Sequence, residues 1–170
     1  DPNASVRLEV LRVLHSLYKI SSSGSMNPAL GQFTERFKSQ LVNISFNEED
    51  SNVRFAALNC VHEIQKIGFF NDAGIVEIAL NYFSIKNLHA KNNERFTAEY
   101  AKIIITQVLE SSKETRQKYT LENDKLNLDL YILIKSLITF IDKAMYNARE
   151  NKVKIATQSV TDLFISIYRS

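Results

Sequence analysis

The residues of this chain whose types could do chemistry are three histidines (His15, His62 and His89), one cysteine (Cys60) and one acidic run, Glu48-Glu49-Asp50. A metal needs several donors converging on one point at ligand spacing. His15 and His62 occupy equivalent positions of two related segments, on the edge opposite the apolar arc of each, so they do not converge. No His/Cys/carboxylate group has ligand spacing. Cys60 falls on an apolar face, which predicts a buried, inert thiol. The acidic run sits at a helix start, where carboxylates complement the helix dipole. The chain has no phosphate-cradling glycine loop, no Gly-x-Ser-x-Gly elbow and no supported pair of carboxylates. It therefore reads as non-enzymatic, with no catalytic residue, metal, cofactor or small-molecule substrate.

Two groups could instead bind a partner. Phe33 and Phe37 stand one helical turn apart on one face, with Arg36 and Lys38 beside them. Such a pair is either core or an aromatic docking surface. Lys113, Arg116 and Lys118 form a basic cluster, joined in a second stretch by Arg149, Lys152 and Lys154. Clustered cations are the footprint expected of a phosphate backbone.

The elements that must position these groups follow from a repeat. Shifted by 47 residues, Val6-Arg7-Leu8 falls on Val53-Arg54-Phe55, Leu11 on Leu58, Leu14 on Val61, His15 on His62, and Lys19-Ile20 on Lys66-Ile67. Asp1-Pro2-Asn3 and Asp50-Ser51-Asn52 precede the two segments and supply capping oxygens. The basic position returns at Arg95 and Lys154, giving roughly the unit length of HEAT repeats with one longer linker. On a helical wheel Val6, Val10, Val13, Leu14, Leu17 and Tyr18 form an apolar arc, and Arg7 falls inside it. A buried guanidinium needs a carboxylate or helix-end carbonyls. Asp1 and Asp50 are the natural partners, forming with Arg7 and Arg54 a structural ladder between repeats.

Apolar spacing predicts about seven helices, over 3–20, 28–46, 51–67, 73–86, 92–111, 124–145 and 151–169. Ser21 to Ser25 reads as a flexible loop, and Ser111 to Asp124 as a longer connection. The fold class is all-α: antiparallel helix pairs stacked as an α-α superhelix of HEAT type. Composition agrees. The 170 residues are 45% apolar and 24% charged, with a net charge of +2, four Gly and two Pro. That balance gives no global pull toward nucleic acid or membrane, and one Cys allows no internal disulfide, which favours a reducing compartment. Leu130 to Met145 is the most apolar stretch, but Lys135, Asp142 and Lys143 interrupt it, so it reads as a core helix and no membrane association is expected. No signal peptide is apparent at Asp1-Pro2-Asn3. The apolar helical pattern runs up to Ser170, which reads as one segment of a longer solenoid, residues 1–170.

The order Val6-Arg7-Leu8, Leu17-Tyr18, then Phe33-Thr34-Glu35-Arg36-Phe37-Lys38 and Asp50-Ser51-Asn52-Val53 resembles the stromalin conservative domain of the stromal-antigen HEAT subunits of cohesin. The resemblance covers residues 1–70 and thins after about residue 110, with 71–170 adding further HEAT-like helix pairs. It implies a non-catalytic nuclear, chromosome-associated scaffold acting in sister-chromatid cohesion. It also implies three partners: the kleisin subunit of cohesin, double-stranded DNA, and loader or regulator proteins with Phe/Tyr motifs. Phe33 and Phe37 match the aromatic residues of the family's motif-binding pocket, and Arg36 beside them completes the candidate partner-binding site. The family's pocket tryptophan would fall upstream of Asp1, and the loop before Phe33 is longer than in animal-type sequences, which implies a divergent, fungal-like member. Alternatives are a HEAT subunit of condensin, or a karyopherin-type transport scaffold, which the +2 balance disfavours.

Overall fold

A computed structural model describes residues 2–22, 24–84, 94–119 and 125–169; the side chains of residues 72, 94, 113–119, 125–130, 168 and 169 lie outside that description. Seven α-helices make up the described residues: α1 (Ala4–Ser22), α2 (Pro28–Asn47), α3 (Ser51–Lys66), α4 (Asp72–Phe83), α5 (Glu94–Tyr119), α6 (Lys125–Glu150) and α7 (Thr157–Arg169).

Local chemistry sets most of their ends. Asn27 caps α2 by accepting from the Ala29 amide, with Pro28 in the first turn, where a missing N–H costs nothing. Asp50 caps α3 by accepting from the Asn52 and Val53 amides, and Asn71 caps α4 through the Gly74 amide. α3 stops at Gly68, whose φ of 87° is left-handed. The Gly68 amide donates to Gln65 O and the Phe69 amide to Ile64 O, a Schellman ending. α6 stops the same way, but on Lys152 at φ 53°, with Lys152 N donating to Arg149 O and Val153 N to Ala148 O.

The helices stack in two rows. The odd row runs α1, α3, α5, α7, each packed on the next; α2, α4 and α6 form the second row, with α2 against α3 and α6 against α5 and α4. This is an α-α solenoid of HEAT-like type, each helix burying its neighbour's face. The repeat maps onto the odd row: Arg7, Arg54 and Arg95 stand on α1, α3 and α5. Tyr18, Phe46, Leu58, Ile64, Tyr82 and Tyr100 are among the fully buried side chains between the rows. Tyr82 and Tyr100 stack with centroids 3.9 Å apart, and burial raises both phenols, Tyr82 to about 12. An antiparallel bridge between Ser84 and Ile155 ties the end of α4 to the loop before α7.

Three helix boundaries differ most from expectation, and smaller differences end α4 at Phe83 and not 86 and carry α1 to Ser22, into the stretch read as a loop. α5 continues to Tyr119 through a stretch read as a connection: Ser111 to Tyr119 is polar but rich in good helix formers and free of Gly and Pro. α6 continues past 145 to Glu150, again with no breaker, and the left-handed Lys152 turn delays α7 to Thr157. No helix among the described residues is long and apolar enough to cross a membrane.

Candidate partner-binding surfaces

On α2, Phe33 and Phe37 place their ring centroids 4.7 Å apart with planes tilted by 36°. Phe33 is 37% exposed, whereas Phe37 is half-buried. The Arg36 guanidinium lies 5.4 Å from the Phe37 centroid, in range of a cation–π contact. These three residues share one patch, in which aromatic area is offered to solvent beside a cation. Their geometry comes from the half-buried flank of α2: Thr34, one residue from Phe33, is buried and shares a 3.0 Å hydrogen bond with Tyr18 OH of α1. Lys38 is committed elsewhere, donating to Phe69 O at 3.0 Å and pairing with Glu35 at 2.8 Å.

The arginine ladder takes a different form from the one expected. Arg7 pairs with Glu48, Nε to Oε2 at 3.0 Å and one terminal nitrogen to Oε1 at 2.9 Å. This fork ties α1 to the α2–α3 turn and, with further hydrogen bonds, lowers the Glu48 carboxyl below its ordinary value, against a smaller upward push from burial. Asp50 pairs with neither arginine, because its carboxylate caps α3. Arg54 instead donates to the carbonyls of Glu48 and Glu49, the helix-end alternative. Asp1 lies outside the described residues. Nor does the predicted arc of α1 face inward as a whole. Leu11 and Tyr18 are buried, but Val6, Val10, Val13 and Leu17 are exposed.

The histidines also separate. His62 is buried, not on an outer edge: its Nδ1 donates to Glu99 Oε1 of α5 at 2.6 Å, and Lys102 donates to the other oxygen at 2.7 Å. Burial pushes the Glu99 carboxyl up, but these two hydrogen bonds and their charges outweigh it and bring it down to about 2. His15 Nε2 stands 3.9 Å from Glu63, and His89 lies outside the described residues. Cys60 is buried with its thiol on Leu11 O at 3.3 Å, and burial first, then the Glu63 charge, pushes it up to about 12. Such a thiol is inert as a nucleophile.

The basic residues divide between two places. Lys113, Arg116 and Lys118 belong to the last turns of α5, not to a loop, and their side chains lie outside the described ones. Lys152 and Lys154 are exposed in the α6–α7 loop, where they rim a groove of about 1100 Å³ between α4 and α6. Sequence reasoning did not find the other polar side chains that mark this groove, Lys143 with Asn47, Asn81, Asn147 and Asn151. Only the i,i+4 spacing of Asn147 and Asn151 could have signalled it.

With this geometry in hand, comparison with known proteins gives one informative likeness. The chain is 23% identical, over 188 aligned residues, to cohesin subunit SCC3 of Saccharomyces cerevisiae. No family model matches. The match takes in 100% of this chain but 16% of the yeast protein, so the chain spans about a sixth of that relative's length. It is a distant relationship to a cohesin subunit, and it falls on a helical-repeat fold.

Proposed function

We propose that this chain is one segment of a non-catalytic HEAT scaffold subunit of a cohesin complex, nuclear and chromosome-associated. In this reading it binds the kleisin subunit, double-stranded DNA and short aromatic regulator motifs. The observation that carries it is the Phe33–Arg36–Phe37 patch: a partly exposed aromatic pair with a guanidinium over the Phe37 ring, on a helical-repeat scaffold with a distant likeness to SCC3. Phenylalanine and arginine are among the residue types enriched at the cores of protein interfaces. Lys152 and Lys154, with Lys113, Arg116 and Lys118 of α5, supply the cations for polyanion contact.

A longer solenoid is supported by α1. Its stripe Val6, Val10, Val13, Leu17 is exposed, while the repeat-equivalent stripe of α3 (Val53, Ala57, Cys60, Ile64) is fully buried. Cys60 of that stripe meets Leu11 O, so on α3 it is the face turned to α1. The same face on α1 is shaped to receive a further odd-row helix.

The test is binding of a fluorescent regulator-type peptide with a Phe motif to the protein, with Arg36→Glu and Phe33→Ala as exposed-site variants that leave the core intact. Loss of binding in folded variants supports the reading. Unchanged binding in both removes the patch, and failure to bind both kleisin and DNA removes the cohesin assignment.

A further inference from the structure

We propose that the groove between α4 and α6 is a binding site for an extended, acidic polypeptide segment. Its lining is of an unusual kind. One wall carries Asn147 of α6 and Asn151 just past its end, and Asn81 of α4 and Asn47 of α2 also border it. Asn147 Nδ2 donates to Lys143 O and Asn151 Nδ2 to Asn147 O, both at 2.9 Å. Each amide is thereby fixed in orientation by its own helix, and each still carries a second N–H and a carbonyl oxygen for an outside partner. A side-chain amide offers one donor and one acceptor, the same pair that a peptide unit offers, so it can hold main chain whatever the sequence. The spacing suits this use. Residues one turn apart on a helix are separated by about 6 Å along the axis, close to the two-residue repeat of an extended chain, about 6.6 Å. Asn147 and Asn151 can therefore meet alternate peptide units along one edge.

Charge selects the occupant. Among the described residues, Lys143, Lys152 and Lys154 line the groove together with the carboxylate of Glu77. Alternate side chains of an extended segment would meet these lysines or the apolar patch of Ala73, Val76 and Leu80 on α4. Lys152 adds an independent sign. It holds a left-handed backbone at φ 53°, in the position that Gly68 fills at the end of α3. A lysine there costs about 1 kcal/mol or more relative to glycine, and residues held in such conformations cluster at functional sites. The asparagines favour peptide over duplex DNA: a peptide main chain offers alternating N–H donors and C=O acceptors to match each side-chain amide, whereas a phosphate backbone offers acceptors alone.

This inference rests on the groove and not on the likeness to a cohesin subunit; it gives Lys152 and Lys154 to peptide and leaves Lys113, Arg116 and Lys118 of α5 as the cations offered to DNA, so either reading can fail without the other. The experiment measures fluorescence anisotropy of a labelled peptide of alternating Glu and Val on the full chain, against its Lys–Val counterpart and a labelled DNA duplex. The variants are Asn147→Ala with Asn151→Ala, and Lys152→Glu with Lys154→Glu, each checked for native helicity by circular dichroism. The acidic peptide should bind, and the Lys–Val peptide should not. The asparagine pair should weaken binding by at least about tenfold, since the two side chains together offer up to four hydrogen bonds. The lysine pair should abolish it. Absence of acidic-peptide binding, or equal binding by both folded variants and the parent, would overturn the proposal. Duplex binding that displaces the peptide and depends on Asn147 and Asn151 would assign the groove to nucleic acid instead.

Discussion

Helices α1 and α3 carry the same apolar positions 47 residues apart and meet opposite fates. Val53, Ala57, Cys60 and Ile64 are sealed between α1 and the rest of the stack, whereas Val6, Val10, Val13 and Leu17 face outward. All four positions are apolar in both helices, so their neighbours decide which of them become core. Burial in a solenoid is a property of the interface between units, and each unit's own face is only half of it.

The strongest way to break this comparison is truncation at equivalent positions. Ile64→Ala should cost about 2–5 kcal/mol in chemical denaturation, because a fully buried side chain leaves a cavity. Leu17→Ala, 44% exposed at the matching site, should cost less than about 1 kcal/mol. Equal losses would mean that α1's outer face is already covered in solution.

Acid should come next and should act on the far side of α3. Glu99 is held at about 2 against an ordinary 4.5 by His62 and Lys102, and Glu48 is lowered by Arg7. A depressed carboxyl contributes stability that is complete above the unfolded value and is lost as pH falls toward the folded one. Melts should therefore show a loss on the order of 2 kcal/mol between pH 4.5 and 2 from Glu99. Glu99→Gln should flatten that slope, and a slope unchanged by it would remove the His62–Glu99 contact from the account.

Smaller effects separate the two Schellman ends. Gly68→Ala should destabilise by about 1 kcal/mol, a purely conformational cost, since a Cβ there meets nothing within 4 Å. Lys152→Gly should stabilise by a similar amount. Opposite signs in thermal melts are the expected result, and matching signs would mean that Lys152 makes a compensating contact. Smallest is the ion-pair contrast. Arg7→Ala breaks a forked, part-buried pair and should cost about 1 kcal/mol. Arg12→Ala, from an exposed i,i+3 pair with Glu9, should cost a few tenths at most.

Much of this architecture was legible in the sequence, because a 47-residue echo and 3.6-residue spacing are local signals. They located seven helices and put the recurrent basic residue on α1, α3 and α5, although its fourth echo, Lys154, falls in the loop before α7. What they could not fix was direction. α1 is apolar on two sides, so its wheel names Val10 and Tyr18 alike, and only packing on α3 separates them. Asp50 was the nearest carboxylate to Arg54 in sequence, but the cap it makes on α3 removed it as an ion partner and left Glu48 to Arg7. His62 looked peripheral because Glu99, which draws it inside, lies on another helix. The aromatic patch was legible as a pair on one turn. The α4–α6 groove was not, since its asparagines come from three helices and meet only in the folded stack.

The Cys60 thiol, buried against Leu11 O at the α1–α3 seam, gives the molecule a clock for its own opening. A thiol held at about 12 reacts with alkylating or disulfide reagents only when α1 lifts away. Its labelling rate in native buffer therefore times the departure of one repeat from the next, without any engineered probe. If labelling stays slow when α4–α7 are loosened, the units breathe singly; if it accelerates, the stack opens as one body.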